Sequence, residues 1–135
     1  MTPGTQSGLD PFTRQKAVLL TTYRRDGRPG ATPVSIAVDG THAYIRSYQK
    51  SLKTRRLRRN PAALIAPSDM RGNPLPGPEL PVRLRLLEPG GTEERHARRL
   101  LRRKYPLLHG AVVPLTHRLL RRRTGRTVHF RADPR

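Results

Sequence analysis

The sequence contains no cysteine and no tryptophan, and aromatic residues make up only 4% of it. Without cysteine, the chain forms no disulfide, no thiolate zinc site and no iron–sulfur cluster, and it has no cysteine nucleophile. No apolar run approaches the ~20 residues that span a bilayer, and residues 1–13 lack the apolar core of a signal peptide. We therefore expect a cytoplasmic protein.

Hydrophobic residues are also scarce, at 34% of 135 residues. This length suits one domain, but so few apolar side chains build only a thin core. Formation of a homodimer would bury a second apolar surface between subunits. The composition therefore predicts a homodimer.

Acidic residues are few, so the chain is strongly basic. It has 28 lysine and arginine residues against 9 acidic ones, which gives a net charge of +19. Such a charge favours an anionic partner, which is a nucleic acid, a phosphorylated or polycarboxylate ligand, or an acidic membrane surface. Arginine greatly outnumbers lysine, however, and GC-rich coding alone produces that bias. The charge therefore indicates the sign of the partner and nothing finer.

No catalytic motif is present. The five histidines show no HExxH or similar metal-ligand spacing, and the sequence has no Walker loop, GxGxxG or nucleophile elbow. Asp69 is the only acidic residue in a candidate pocket loop, the proline- and glycine-rich stretch 67–78, which is too little to assign a general base. If the protein is an enzyme, its chemistry comes from a bound cofactor.

Two Asp-Gly turns organise the first half of the chain. Asp26-Gly27 and Asp39-Gly40 are typical of tight β-hairpins, because glycine tolerates a positive φ. Pro33 cannot donate to a sheet ladder and therefore marks an edge, a bulge or a contact with ligand. The pattern predicts a small antiparallel barrel of about six strands in residues 14–135, after a mobile tail of residues 1–13. The predicted strands are 17–23, 31–38, 42–46, 62–66, 82–86 and 127–131.

Helices are predicted outside the barrel. Thr92 is expected to cap a helix that runs to about Tyr105 and packs through Ala97, Leu100 and Leu101. Arginines on its opposite side form a ridge that either binds a polyanion or is simply solvated. A further helix is predicted over residues 114–123.

A short basic helix follows the third strand and is the main candidate for binding. Ser51 is the expected N-cap, and Asn60-Pro61 ends the helix near Arg59, because proline disfavours helix at the preceding residue. The helix N terminus, together with Lys50, Lys53 and Arg56, suits a phosphate. The alternative interpretation is a surface helix whose basic side chains are only solvated.

The order of these pieces resembles the split β-barrel flavin and deazaflavin proteins related to pyridoxamine-5′-phosphate oxidase. Within that family it is most similar to the oxidoreductases that depend on coenzyme F420. The resemblance covers residues 15–131. It is carried by Leu20-Thr21-Thr22, Thr32-Pro33-Val34, Lys53-x-x-Arg56-Leu57-Arg58-Arg59-Asn60-Pro61, Gly77-Pro78 and Arg103-Lys104-Tyr105.

The resemblance implies a fold, a cofactor and a reaction. The fold would be a split β-barrel homodimer that holds coenzyme F420, or alternatively FMN, in a groove between subunits. The reaction would be hydride transfer from reduced F420 to a reducible small molecule. Flavin or tetrapyrrole binding without turnover, and nucleic-acid binding, are the alternatives, although aromatic residues for stacking on bases are scarce. The implied site consists of Thr32, Pro33 and Val34 under the ring system and of Ser47, Lys50, Lys53 and Arg56 on the phosphate, with the cap residue Ser51 beside them.

Overall fold

The computed structural model describes residues 8–106 and 125–135, which form one antiparallel sheet with two α-helices against it. The strands and helices are, in chain order, β1 Ala17–Tyr23, β2 Pro29–Val34, β3 Ile36–Asp39, β4 His42–Tyr48, α1 Leu52–Arg59, β5 Ala62–Ser68, β6 Leu80–Leu86, α2 Thr92–Lys104 and β7 Thr127–Pro134.

The strand order closes the sheet on itself. The order is β2-β1-β5-β6-β7-β4-β3, so β2 and β3 lie at opposite edges although only Ser35 separates them in sequence. One residue cannot bridge the width of an open sheet, so the sheet curls until its edges meet, and β2 contacts β4. The predicted antiparallel barrel is confirmed. The described strands number seven because the predicted strand 31–38 is divided at Ser35, one half pairing with β1 and the other with β4.

The predicted turns are confirmed in their geometry. Gly27 and Gly40 have φ of 88° and 65°, in the region that glycine adopts most readily, and they close the β1–β2 and β3–β4 hairpins. Pro33 lies on β2, which pairs only with β1 and is therefore an edge strand, as its missing N–H requires.

The segment before β1 corrects a prediction. Residues 1–13 were expected to form a mobile tail, but Asp10–Phe12 form a 3₁₀ turn, and both Leu9 and Phe12 are fully buried in the barrel core. They pack in the cluster that contains Val18, Ile45 and other core residues. Residues 8–13 therefore belong to the packed fold. The sequence around them is rich in proline and glycine, and two apolar residues among such neighbours give little periodic signal.

β5 extends beyond its predicted end. Residues 67–78 were expected to be loop throughout, yet Pro67 and Ser68 lie on β5, opposite Val18 and Ala17 of β1. This is possible because β6 pairs only with residues 62–65 of β5. Beyond residue 65 the loop itself returns along that side of β5, where Ser68 forms a bridge with Pro74 and the carbonyl of Pro67 accepts from the N–H of Leu75 at 3.1 Å. Because β6 does not reach Pro67, its missing N–H breaks no bond of the β5–β6 ladder. The loop proper begins at Asp69.

α2 lies across the outer face of the sheet and is fixed there by ion pairs. Ala97 and Leu101 are fully buried, as predicted. Glu93 accepts hydrogen bonds from Arg85, Arg131 and Tyr44 at 2.8–3.0 Å. Burial opposes its ionisation, but these donors outweigh burial and lower the pKa of Glu93 to about 2.

The N terminus of α2 differs from the prediction. Gly91, rather than Thr92, is the N-cap of α2, and no side chain caps this helix, so the predicted capping role of Thr92 is wrong. Glu94, in the first turn of α2, accepts from the N–H of Gly90 just before the cap at 2.9 Å and so fixes the loop that leads into the helix. The predicted helix 114–123 lies outside the described residues. Among those that are described, no helix is long and apolar enough to cross a membrane.

The burial of Phe12 predicts a large stability effect. Phe12→Ala should lower the free energy of unfolding by about 3 kcal/mol or more, because it removes a large side chain from the core and leaves a cavity. Urea denaturation followed by circular dichroism measures this. Arg14→Ala, at an exposed position two residues along, is the matched control and should change stability by about 0.5 kcal/mol or less. Equal midpoints for the two variants would show that the segment is a mobile tail after all.

Candidate cofactor-binding site

α1 begins and ends where the sequence predicts. Ser51 has extended backbone angles and accepts from the N–H of Thr54 at 3.2 Å, which makes it the N-cap. The helix ends at Arg59, and the N–H of Asn60 donates to the carbonyl of Arg56 at 2.8 Å. β4 reaches Tyr48, two residues beyond its predicted end, so the chain leaves the sheet only three residues before the cap.

A cluster of three hydroxyl groups joins the start of α1 to β4. Ser47 Oγ lies 2.8 Å from Thr54 Oγ1 and 3.1 Å from Ser51 Oγ, and Ser51 Oγ lies 3.0 Å from Thr54 Oγ1. Ser47 and Thr54 are both buried. This cluster fixes the helix N terminus relative to the sheet. Thr54 was not assigned to the site from the sequence, although its position three residues after the cap is the available signal.

Lys53 and Arg56 are half-buried cations with no acidic partner among the residues that the structure describes. They are three residues apart, which places them about 60° from each other around the helix and one turn apart along it. In the described part of the chain, neither residue forms an ion pair. Burial lowers the pKa of Lys53, and no nearby anion opposes that shift. Partly desolvated cations without a counterion indicate an anion-binding site.

Arg56 lies against β2 because residue 30 is glycine. A Cβ at Gly30 would overlap Nη1 of Arg56, so the guanidinium occupies the space that any other residue would fill. Gly30 pairs with Thr22 of β1, and Thr22 is fully buried with a hydroxyl that has no hydrogen-bond partner among the described residues. Neither Gly30 nor Thr22 was assigned to the site from the sequence, because their proximity to α1 depends on the folded barrel.

The three predicted ring-contact residues lie on β2 beside this guanidinium. Thr32 follows Gly30 on the same face of the strand and is partly buried, and Val34 is buried in the core. Pro33 points to the other face, where Gly72 of the loop after β5 packs on it, a Cβ at Gly72 lying 3.2 Å from Pro33 Cδ. The structure thus brings Thr32 and Arg56 to one side of β2.

Two candidate residues lie elsewhere. The Lys50 side chain packs against Gly125 at the start of β7, where a Cβ at Gly125 would lie 3.1 Å from Lys50 Cγ. Asp69 holds its own turn, since its carboxylate accepts from the N–H of Arg71 and from the N–H and side-chain amide of Asn73 at 2.8–2.9 Å. The described residues contain no group of three or more His, Asp or Glu placed to hold a metal ion.

A family model described as pyridoxamine 5′-phosphate oxidase matches residues 8–106, which is more than half of the chain. The chain belongs to this family. The match includes β1 to α2 and therefore every residue of the α1–β2 site. It confirms the predicted split-barrel fold of flavin-binding and related proteins.

Solved structures share the fold at low sequence identity. The heme storage protein HutZ from Vibrio cholerae has 13% identity and a TM-score of 0.69 and covers 94% of this chain and 90% of its own. A FAD-binding protein from Mesorhizobium loti has 19% identity and a TM-score of 0.60, with coverage of 96% and 88%. An F420 reductase has 19% identity and a TM-score of 0.57, with coverage of 96% and 95%. No curated protein matches the sequence.

The hydroxyl cluster predicts a measurable contribution to stability. Thr54→Val keeps the shape of the side chain but removes a buried hydroxyl that bonds two others, so the free energy of unfolding should fall by about 1 kcal/mol. Urea denaturation tests this, with Thr13→Val at an exposed position as the control. An unchanged midpoint for Thr54→Val would mean that the three hydroxyls do not hold α1 to β4.

Proposed function

We propose that this protein binds coenzyme F420 and uses its reduced form to transfer hydride to an unsaturated small molecule. The observation that carries the proposal is the pair Lys53 and Arg56, both half-buried and neither paired with a carboxylate among the described residues, with Arg56 against β2. A phosphate there would supply the missing counterion. Membership of the family and the shared fold with an F420 reductase support a redox cofactor in this position.

The residues of the site fit a phosphate-bearing cofactor. Lys53 and Arg56 would bind the phosphate through charge-assisted hydrogen bonds. The first two backbone N–H groups of α1 are those of Leu52 and Lys53. They have no acceptor within the helix and lie at its positive end, where a phosphate could accept from them. Ser51, Ser47 and Thr54 position that helix start, since their hydroxyls bond one another. The ring system would lie beside the β2 backbone of Thr32, Pro33 and Val34, with the Thr32 side chain towards it, since Pro33 points to the other face and Val34 is buried in the core.

When bound, reduced F420 would supply a hydride, which carries two electrons, and the one proton that the acceptor also needs would come from solvent or from a side chain. The protein's own residues contribute binding, orientation and electrostatics. Burial around Lys53 keeps water away from the phosphate and strengthens each charged contact. The acceptor is set by the surfaces above the ring, which include the loop after β5.

A homodimer is part of the proposal. The large apolar side chains most exposed among the described residues are Leu52 at 63%, Met70 at 51% and Leu75 at 44%. Leu52 begins α1 at the phosphate site, and Met70 and Leu75 lie on the loop that packs on Pro33 through Gly72. A second copy would cover these side chains and complete a groove next to the site. Sedimentation at micromolar concentration that shows only monomer would contradict it.

FMN is the alternative cofactor, because it also presents a phosphate, and the fold is shared with a FAD-binding protein. Binding without turnover is the alternative activity, favoured by the shared fold of a heme storage protein. Mixing the protein with reduced F420 and a panel of unsaturated acceptors separates these functions. Appearance of oxidised F420 that depends on both protein and acceptor supports the oxidoreductase.

The phosphate contacts predict the effect of removing each cation. Lys53→Ala and Arg56→Ala should each lower F420 affinity about ten- to a hundredfold, since a charge-assisted contact contributes about 1.5–3 kcal/mol. Fluorescence polarisation of F420 measures the dissociation constants. Arg55→Ala removes the same charge from an exposed position on the same helix and is the matched control. Parental affinity in both site variants, or an equal loss in the control, would place the phosphate elsewhere.

The space at Gly30 predicts a second effect. Gly30→Ala leaves every charge in place but displaces the Arg56 guanidinium, so F420 affinity should fall by no more than it does in Arg56→Ala. The double variant should bind about as weakly as Arg56→Ala alone, because the two changes act on one contact. If Gly30→Ala weakened binding further in the absence of the arginine, the glycine would act on the cofactor directly and not through Arg56.

A further inference from the structure

A second basic cleft lies on the other side of α1. Its volume is about 400 Å³, and it is formed by the end of α1, the segment after β6, α2 and the start of β7. Three arginines line it, Arg58, Arg98 and Arg126, together with an apolar wall of Leu86, Pro89 and Val128. This size lies within the range of small-molecule sites.

The cleft is separate from the proposed cofactor site. Arg58 follows Arg56 by two residues, so the two side chains leave α1 about 200° apart. Arg56 lies on Gly30 of β2, whereas Arg58 lines the cleft beside the start of β7. A ligand in the cleft would therefore contact neither Gly30 nor Arg56.

The positive charge of the cleft is poorly compensated. Arg58 and Arg126 form no ion pair within the described residues, and no carboxylate is among the side chains found to line the cleft. Arg98 has a loose pair, its Nε lying 3.5 Å from Glu94 Oε1. That same oxygen accepts from the N–H of Gly90 at 2.9 Å, so Arg98 shares it.

A half-buried cation, Arg46, adds to this field. Arg46 Nη1 is buried and has no hydrogen-bond partner in the described part of the chain, while its Nε donates to His129 Nε2 at 3.3 Å. Burial lowers the pKa of Arg46, and the charges of Arg98 and Arg102 lower it further. His129 in turn donates from Nδ1 to Glu94 at 3.1 Å. Glu94 is therefore the shared acceptor for several donors and cannot neutralise them all.

We propose that this cleft binds a small amphipathic acid, with one phosphate or carboxylate group between the arginines and an apolar body against the apolar wall. Guanidinium groups suit such oxyanions because their planar N–H groups match two oxygens at once. Gln49 and Thr127 also line the cleft and offer an amide and a hydroxyl for further hydrogen bonds. The proposal does not depend on F420 or on turnover.

Isothermal titration calorimetry with phenyl phosphate tests the proposal on the full-length protein. The reference protein is Arg56→Ala, because phenyl phosphate would otherwise also occupy the α1–β2 site. This reference should bind one equivalent per chain at the cleft, and adding Arg98→Gln or Arg126→Gln should each weaken that binding about tenfold. Arg99→Gln is the matched control, because it removes one charge from an exposed position on the same helix and lies outside the cleft. Added to the Arg56→Ala reference, it should leave the binding of phenyl phosphate unchanged.

Three results would overturn the proposal. An equal loss in Arg98→Gln, Arg126→Gln and Arg99→Gln would show general attraction to a basic surface. No binding to the Arg56→Ala reference, with binding to the parent, would assign phenyl phosphate to the α1–β2 site. Inorganic phosphate binding as tightly as phenyl phosphate would show that the apolar wall contacts no ligand. Thermal denaturation of each variant confirms that it is folded before titration.

Discussion

Closure of the sheet through a single residue is the constraint on which the rest of the structure depends. Ser35 joins β2 and β3, which lie at opposite edges of the sheet, so the barrel must close for the chain to be continuous. Closure brings β2 next to the end of β4, where α1 begins. The contact between Gly30 and Arg56, and with it the candidate phosphate site, exists only because of this closure.

Without a bound anion, the site lowers the stability of the folded protein. Half-burying Lys53 and Arg56 removes water from two cations and returns no ion pair within the described residues. The hydrogen bonds of the Ser51 cap and of the Ser47 and Thr54 hydroxyls stabilise the start of α1 and offset that cost. A preorganised site loses little freedom on binding, so most of each charged contact is available as affinity.

Features set by neighbouring residues were predictable from the sequence. The Asp-Gly turns, the cap at Ser51 and the stop at Asn60-Pro61 each depend on a few adjacent residues, and each is confirmed. Features that depend on contacts between residues far apart in the sequence were not predictable. Phe12 is buried by strands that follow it, Pro67 fits β5 because β6 is short there, and Gly30 matters because of a side chain 26 positions later. The resemblance identified the family correctly, but the side-chain contacts of the site could be found only from the three-dimensional structure.

The most direct test is a titration of the purified protein into F420 and, separately, into FMN, followed by the fluorescence polarisation of each cofactor. The chain has no tryptophan, so the cofactor's own emission is the better probe. Measurements at low and moderate salt separate a built site from general attraction to a chain of charge +19, because salt screens the latter. We predict saturable binding of F420 that is tighter than that of FMN and persists at moderate salt. Binding of neither cofactor, or binding only at low salt, would contradict the account.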